Sequence, residues 1–408
     1  MNFELQPLTE PGKKLVVLAE EHAADFATRA DQHDREGSFP AENIKAMQKS
    51  GLMAAPVPEE FGGMGVDSVH DLSLCMGRLG RGDASTAIAT NMHLSSAWAV
   101  NRTRNAAVAA GDAQLVTATE GLLRGIGSAV LVTCVLGTEP GTDLRHPLTE
   151  AIRDGDSWVL NGHKIFGTMS PVTNLFFVAV RVPDEDGGYR AGIAFVLNGT
   201  AGMDVKDNWD ALGMRASGSH DVVFKDCRIP EASLVARGEW GTLSGQGLET
   251  GVFGNLGLVA AFLGIAEAAQ DHIIELVTTR HKAERLSVQR VIAENEIDLA
   301  TCRAMLTRTG MAADAYAAEH RFSVGAPDEL HELHKDVQCT KTVVNRKAIE
   351  IVDRALTLSG GSGYLTKSPL SRMYRDVRAG PFMQPFSPNE AFEYIGKVTL
   401  GLDPEIES

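Results

Sequence analysis

A block of short β-type runs over residues 131–230 is flanked on both sides by stretches whose apolar residues recur at helical spacing, and that order leaves few architectures open. Val130-Leu131-Val132-Thr133-Cys134-Val135-Leu136 is apolar and β-branched. Trp158-Val159-Leu160 is flanked by Asp154-Gly155 and Asn161-Gly162, dipeptides that favour hairpin turns. Phe176 to Arg181, Ala191 to Leu197 and Val222 to Asp226 read as further strands, and the spacing of Gly, Asn and Asp turns predicts a small antiparallel barrel or sandwich. Before this block, Leu15, Leu18, Ala19, His22, Ala23 and Phe26 share one helical face, Phe39-Pro40-Ala41-Glu42 opens a helix and Gly51 ends it. A loop follows over 56–65, and helix resumes over 68–80 and 84–101. After the block, Gly254 to His272, Ala293 to Ala318 and Asp328 to Ser359 are long enough for a four-helix bundle. The expected fold is a multidomain α+β one, with a helical domain at 1–130, a β domain at 131–232 and a helical bundle at 233–408.

A chain of 408 residues holds two or three packed units. Its formal net charge of -15 disfavours nucleic acid and anionic membranes as partners, yet a phosphate-bearing cofactor needs only local donors. The five cysteines lack CxxC spacing, so neither a zinc site nor a disulfide frame is expected, and reduced thiols suit a cytoplasmic protein. The N-terminal MNFELQPLTEPGKK has no apolar signal core, and the longest apolar run, Gly254 to Ala266, is short for a bilayer span.

Six local motifs carry more specific information. They are Gly37-Ser38-Phe39-Pro40 with Pro58-Glu59-Glu60-Phe61-Gly62-Gly63; Thr138-Glu139-Pro140-Gly141-Thr142-Asp143; Trp158-Val159-Leu160-Asn161-Gly162-His163-Lys164; Leu212-Gly213-Met214-Arg215 with Val223-Phe224-Lys225-Asp226-Cys227-Arg228-Ile229-Pro230; Gly360-Gly361-Ser362-Gly363-Tyr364; and Arg372-Met373-Tyr374-Arg375-Asp376. In this order, and over nearly the whole chain, the series resembles the acyl-CoA dehydrogenase family. The TEPG loop is two residues shorter than the family's TEPxxGSD.

The resemblance implies a flavin. It puts the TEPG-loop amides and the Thr138 hydroxyl at the pyrimidine side of the isoalloxazine, Leu136 and Thr142 among the cofactor-binding residues, Phe166 over the ring and Thr168 near its N5 edge. It turns Arg280, Ser359, Gly360 and Gly361 toward the pyrophosphate and adenylate of a neighbouring subunit's cofactor, which implies a homodimer or homotetramer. The implied cofactor is FAD; FMN stays open, because His281 to Gln289 departs from the family's R-x-x-F-G pattern. Read without the resemblance, the same residues fit a plain ST turn, a core aromatic and a glycine helix stop.

The family's usual reaction needs a carboxylate beside the substrate α-carbon. Counting from Arg375, that position is Gln384, within Phe382-Met383-Gln384-Pro385-Phe386. An amide cannot accept the proton. The alternative position on the first bundle helix aligns with Gly254, and Glu249 reads as a solvated charge at the helix entry. The pair that grips coenzyme A is replaced by Val252-Phe253-Gly254-Asn255-Leu256-Gly257-Leu258, an apolar wall that suits a ring system or, equally, a buried helix face.

These absences favour a two-component monooxygenase that uses reduced flavin and O₂, through a C4a-hydroperoxide, to hydroxylate an apolar aromatic or indole-like substrate. A separate flavin reductase would deliver the reduced cofactor, since no G-x-G-x-x-G follows a strand. Gln384, Thr168 and Ser170 would supply neutral donors and His93 an acid/base, although a structural histidine fits position 93 as well. His93, Ser96, Ala97, Trp98, Phe253, Gly254 and Met383 would line the substrate pocket. An acyl-CoA dehydrogenase or oxidase with a displaced base, and a non-catalytic member of the fold, remain the alternatives.

Overall fold

The computed structural model describes residues 4–242 and 245–406. Six helices come first: α1 (Glu10–Phe26), α2 (Ala30–Glu36), α3 (Ala41–Ser50), α4 (Val69–Gly82), α5 (Ala84–Ala110) and α6 (Ala113–Gly127). Short polar side chains start several of them by accepting a free first-turn amide: Thr9 from Gly12 N–H, Ser68 from Asp71 N–H and Asp83 from Ser85 N–H. α3 ends at Gly51, whose φ of 85° is the left-handed stop read from the sequence.

The middle of the chain forms one sheet from β1 (Thr133–Leu136), β2 (Glu150–Asp154), β3 (Ser157–Gly167), β4 (Leu175–Pro183), β5 (Tyr189–Leu197), β6 (Met203–Val205), β7 (His220–Pro230) and β8 (Leu234–Glu239). The strand order is β6-β7-β3-β2-β4-β5-β8, with β1 beside β4. β8 pairs with β5, so the sheet runs past residue 232.

Two expectations change here. The sheet is mixed rather than antiparallel: β1 pairs with β4 in parallel, Thr133 opposite Leu175, and β2 meets β4 in parallel. β1 is fed by a helix instead of a hairpin, so no tight turn forces it to run antiparallel. Asp154-Gly155 does form a hairpin, but Asn161-Gly162 does not; it lies inside β3, where the register against β7 slips between Leu160 and Gly162. A Cβ at Gly162 would sit 2.2 Å from Thr149 Oγ1, so glycine is needed there for close packing and bulging rather than for a turn.

Helices return as α7 (Gly245–Thr279), α8 (Leu286–Glu319), α9 (Pro327–Ser359), α10 (Pro369–Asp376) and α11 (Pro388–Thr399). α7 is long and apolar enough to cross a membrane, but 83% of its most apolar window is buried, against α4, α5 and α9. It approaches α4 closely: a Cβ at Gly264 would lie 2.2 Å from the Gly77 carbonyl oxygen.

The three parts meet at one junction. Arg375 bonds Asp34 of α2 at 2.9 Å, and Arg372 bonds Asp31 at 2.7 Å. Asp376 accepts the Met214 N–H at 2.7 Å, and burial pushes its carboxyl up to about 6. A Cβ at Gly213 would sit 2.3 Å from the Arg375 carbonyl oxygen. Two of the sequence motifs are thus joints between layers.

Candidate active site

The first part of the site is a platform at the edge of the sheet. Ile165 N–H donates to the Thr138 carbonyl at 3.0 Å, tying the TEPG loop to β3. Beneath the loop, Glu139 and Lys164 form an ion pair at 2.8 Å with almost no exposure. Glu139 also accepts the Leu148 and Thr149 amides and the Thr149 hydroxyl. Lys164 holds the Glu139 carboxyl below the usual carboxylate range against the opposing cost of burial, while burial lowers Lys164 to about 8. Glu139 of one motif and Lys164 of another are therefore the two halves of one clamp. Leu136 is buried below the loop, and the Thr142 hydroxyl donates to the His146 carbonyl at 2.7 Å, shaping the turn.

β3 brings Phe166 to this edge, and Thr168 follows just past the strand's end. Phe166 sits at φ 56°, 54% exposed, with its ring edge-on to Trp209 at 5.9 Å. His220, which bonds the Asn208 and Trp209 amides through Nδ1, places that tryptophan. The Thr168 hydroxyl meets Ser219 Oγ at 2.9 Å, and Ser219 meets Ser217 at 2.7 Å. An open aromatic face beside hydroxyls and loop amides fits a planar, hydrogen-bonding ring system such as a flavin. Ser170 is not part of that edge: it is buried and donates to the Gly218 carbonyl at 3.1 Å, so its hydroxyl is already committed.

His93 is a joint, not an acid/base. It is fully buried, its Nδ1 lies 2.9 Å from Thr133 Oγ1 and 3.0 Å from Thr133 N, and its Nε2 lies 2.9 Å from the Met53 carbonyl. Nδ1 accepting the Thr133 amide leaves the proton on Nε2 for Met53. Burial lowers its pKa to about 4, so it stays neutral. Ser96 also bonds Thr133, at 2.6 Å. The face read as a pocket wall therefore fastens α5 to β1. Ala97 belongs to a separate core patch with Phe61, Leu123 and Phe177. Trp98 and Phe253 are core too, with ring centroids 6.1 Å apart and Arg102 stacked on Trp98.

The half-open side of α5 is the next face round, Met92, Ser95 and Ala99, with Ser95 opposite Gly254 of α7. Asn91 Nδ2 donates to the Gly254 carbonyl at 2.9 Å, and a Cβ at Gly254 would be 3.9 Å from Ser95 Cβ. One turn further along α7, Met383 lines a narrow crevice with Asn255, Leu258, Lys341, Asn345 and Gly380. Gln384 follows it and is exposed. Along α5, residues 245–262 of α7 and the 380–386 segment, Glu249 is the only carboxylate. It is not solvated as expected: it is 3% exposed and paired with Arg102 at 2.5 Å, and burial pushes it above the usual carboxylate range. Val252, Phe253 and Leu256 point into the core, so the expected apolar wall is not a pocket wall.

Arg280 donates to the Ser359 carbonyl at 3.2 Å and to Ser362 Oγ at 3.0 Å. At Gly360, φ is 70° and a Cβ would meet nothing within 4 Å. This corner lies 26 residues beyond Gly254, about 39 Å along a helix axis, so one chain does not bring it to its own cleft. Sequence reasoning missed the Glu139–Lys164 clamp, Trp209 and Lys341. Lys341 carried a signal, a lysine in helical phase with Val337, Val344 and Ala348 on a core face.

A helical front, a central sheet and a helical bundle place the chain among flavoprotein oxidoreductases, and it belongs to the acyl-CoA dehydrogenase family. Residues 14–108, 134–227 and 256–386 match that family's N-terminal, middle and C-terminal domains. Within the family, the chain is 34% identical over 400 residues to L-evernosamine nitrososynthase of a Micromonospora species, covering 97% of this chain and 92% of that one. It is 32% identical, with the same coverage, to the amino sugar nitrososynthase RubN8 of Streptomyces rubradiris. The solved structure of KijD3 with FMN and dTDP-3-amino-2,3,6-trideoxy-4-keto-3-methyl-D-glucose superimposes with a TM-score of 0.91 at 33% identity, covering 97% of this chain and 95% of that one. Dibenzothiophene monooxygenase TdsC of Paenibacillus sp. A11-2, at 20% identity and a TM-score of 0.82, shares the fold.

Proposed function

We propose that this chain is a flavin-dependent N-oxygenase acting on the amino group of a nucleotide-linked amino sugar. The observation that carries this reading is Gln384, an amide at the position where the family resemblance expects a carboxylate, while the one carboxylate along α5, residues 245–262 and the 380–386 segment, Glu249, is buried against Arg102. The nitrososynthase relatives span nearly the whole chain, which supports an amine over an aromatic ring as the atom oxidised.

Flavin, bound in its reduced form, supplies the two electrons that activate dioxygen, so that one oxygen goes to the substrate nitrogen and the other leaves as water. The residues of this chain do the rest. An amine reacts through its lone pair, which exists only in the neutral form. A carboxylate at position 384 would stabilise the ammonium and hide that lone pair; the neutral Gln384 amide can bond the amine without charging it. Thr138, Phe166 and Thr168 hold the ring system at the sheet edge. Small residues at Ser95 and Gly254 leave room for a sugar, and the burial of Val252 and Phe253 removes the aromatic wall that would have favoured an indole. A separate reductase supplies reduced flavin, and a second subunit brings its Arg280 corner to the cofactor.

The test combines the chain, a flavin reductase, flavin and a dTDP-linked amino sugar under isotopically labelled dioxygen. Labelled oxygen on the nitrogen is expected. Oxidation of an acyl-CoA panel, or label on carbon instead, overturns the reading.

A further inference from the structure

Lys341 is the most unusual charge next to the cleft. It lies on α9 at 4% exposure, and among the described residues no carboxylate reaches ion-pair distance of it. Its Nζ donates instead to two main-chain carbonyls, those of Met383 and Phe386, the latter at 2.7 Å. Those residues bracket Gln384 and Pro385. The segment has no helix or strand of its own between Phe382 and the start of α11, so its carbonyls have no ladder to pair with. Burying an ammonium ion costs several kcal/mol even after partial compensation. A methionine would fill the same space without that cost, so filling space does not account for the lysine. What it does that an apolar residue cannot is hold two carbonyls on one point.

We propose that Lys341 is a positioning residue of this site: by gripping the Met383 and Phe386 carbonyls it fixes the chain between them, and with it the direction in which Gln384 is offered to the substrate. The proposal deepens the reading of Gln384 given above and rests on it for its chemical consequence. The surroundings agree with a device built at this spot. Asn345 on the next turn of α9 packs under Gly380, where a Cβ would be 2.6 Å from its Oδ1, and that Oδ1 is buried with no hydrogen-bond partner. One turn before Lys341, Gln338 is fully buried with both amide atoms unpartnered, and His334 stacks edge-on against Phe386. The stripe of α9 beneath the segment thus carries polar groups at 334, 338, 341 and 345, and among the described residues Lys341 is the member of it that hydrogen-bonds the segment's carbonyls.

Two arms test the proposal. In the first, the full chain and Lys341→Met are compared by hydrogen exchange. The amides of residues 382–387 are expected to exchange at least tenfold faster in the variant while α7 and α9 keep their protection; unchanged exchange of that segment overturns the proposal. Lys341→Leu, which also removes the donor, serves the same comparison if the methionine variant fails to fold. In the second, kcat with the amino-sugar substrate is measured for Lys341→Met, Gln384→Ala and the double variant. A lysine acting through Gln384 lowers kcat about tenfold alone, with KM little changed, and adds nothing once Gln384 is gone. Multiplying losses in the double variant overturn it. The exchange arm needs no substrate, so a failure of the proposed reaction and a failure of the grip give different results.

Discussion

Replacing Glu139 by Gln leaves Lys164 as a buried cation without its counter-charge, and the cost follows from the geometry. The two groups are 2.8 Å apart with side-chain exposures of 2% and 0%. The cheapest escape for Lys164 is to lose its proton on folding. At pH 7 that costs about 1.4 kcal/mol for each pH unit below lysine's ordinary value of about 10.4, or roughly 4.6 kcal/mol as a ceiling. The glutamine oxygen still accepts one of the Thr149 or Leu148 donors and recovers about 1 kcal/mol. The expected loss is therefore about 3–4 kcal/mol, in the range seen when one partner of a buried pair is removed. Urea denaturation of the flavin-free protein at pH 7 measures it. The pH dependence gives a second reading. The unfolded variant keeps Lys164 protonated while the folded variant does not, so the unfolded state binds more protons and stability rises with pH, by about 1.4 kcal/mol per unit from pH 7 toward 10. The parent protein holds the Lys164 proton up to about 8 and shows no such gain below that pH. A loss under about 1 kcal/mol, or a flat pH profile in the variant, would refute the claim that these two motifs form a clamp.

Three further outcomes are expected. Gln384→Glu should shift the pH–rate profile for amine oxygenation upward by about one unit, the low end of the range for an adjacent opposite charge because the position is exposed, with no change in Tm. An unshifted profile would separate Gln384 from the amine. Phe166→Ala should weaken flavin binding about fivefold, near 1 kcal/mol for a lost ring contact, as read by flavin fluorescence titration. His93 stays neutral when folded down to about 4, whereas the unfolded chain protonates it near 6.5. The unfolded state then binds more protons below pH 6.5, so stability falls by about 3 kcal/mol toward pH 4, and His93→Gln should remove that slope while leaving the pH dependence of activity between 6 and 8 unchanged.

The motifs read from the sequence proved to mark joints as often as chemistry. Glu139 and Lys164 close one clamp; Arg372, Arg375, Asp376 and Gly213 close another. Their spacing was legible because each joint demands a fixed charge or a missing side chain at a fixed place. His93 and Ser96 were misassigned for a related reason. Helical phase shows that they share a face, but not whether that face meets a pocket or a strand, and the answer came from β1 lying against α5.

Local patterning determined where this chain is helical, where it is extended and where it turns, since those choices are made over a few residues by periodicity, caps and glycines. That position 384 carries an amide and not a carboxylate is likewise written in the sequence alone. Tertiary structure alone decided which face of α5 is left half-buried, that Glu249 is paired with Arg102, and that a lysine 43 residues before Gln384 bonds the carbonyls on either side of it. Those facts depend on groups distant in sequence meeting away from water, where a charge must find a partner, and no local pattern specifies which partner it finds.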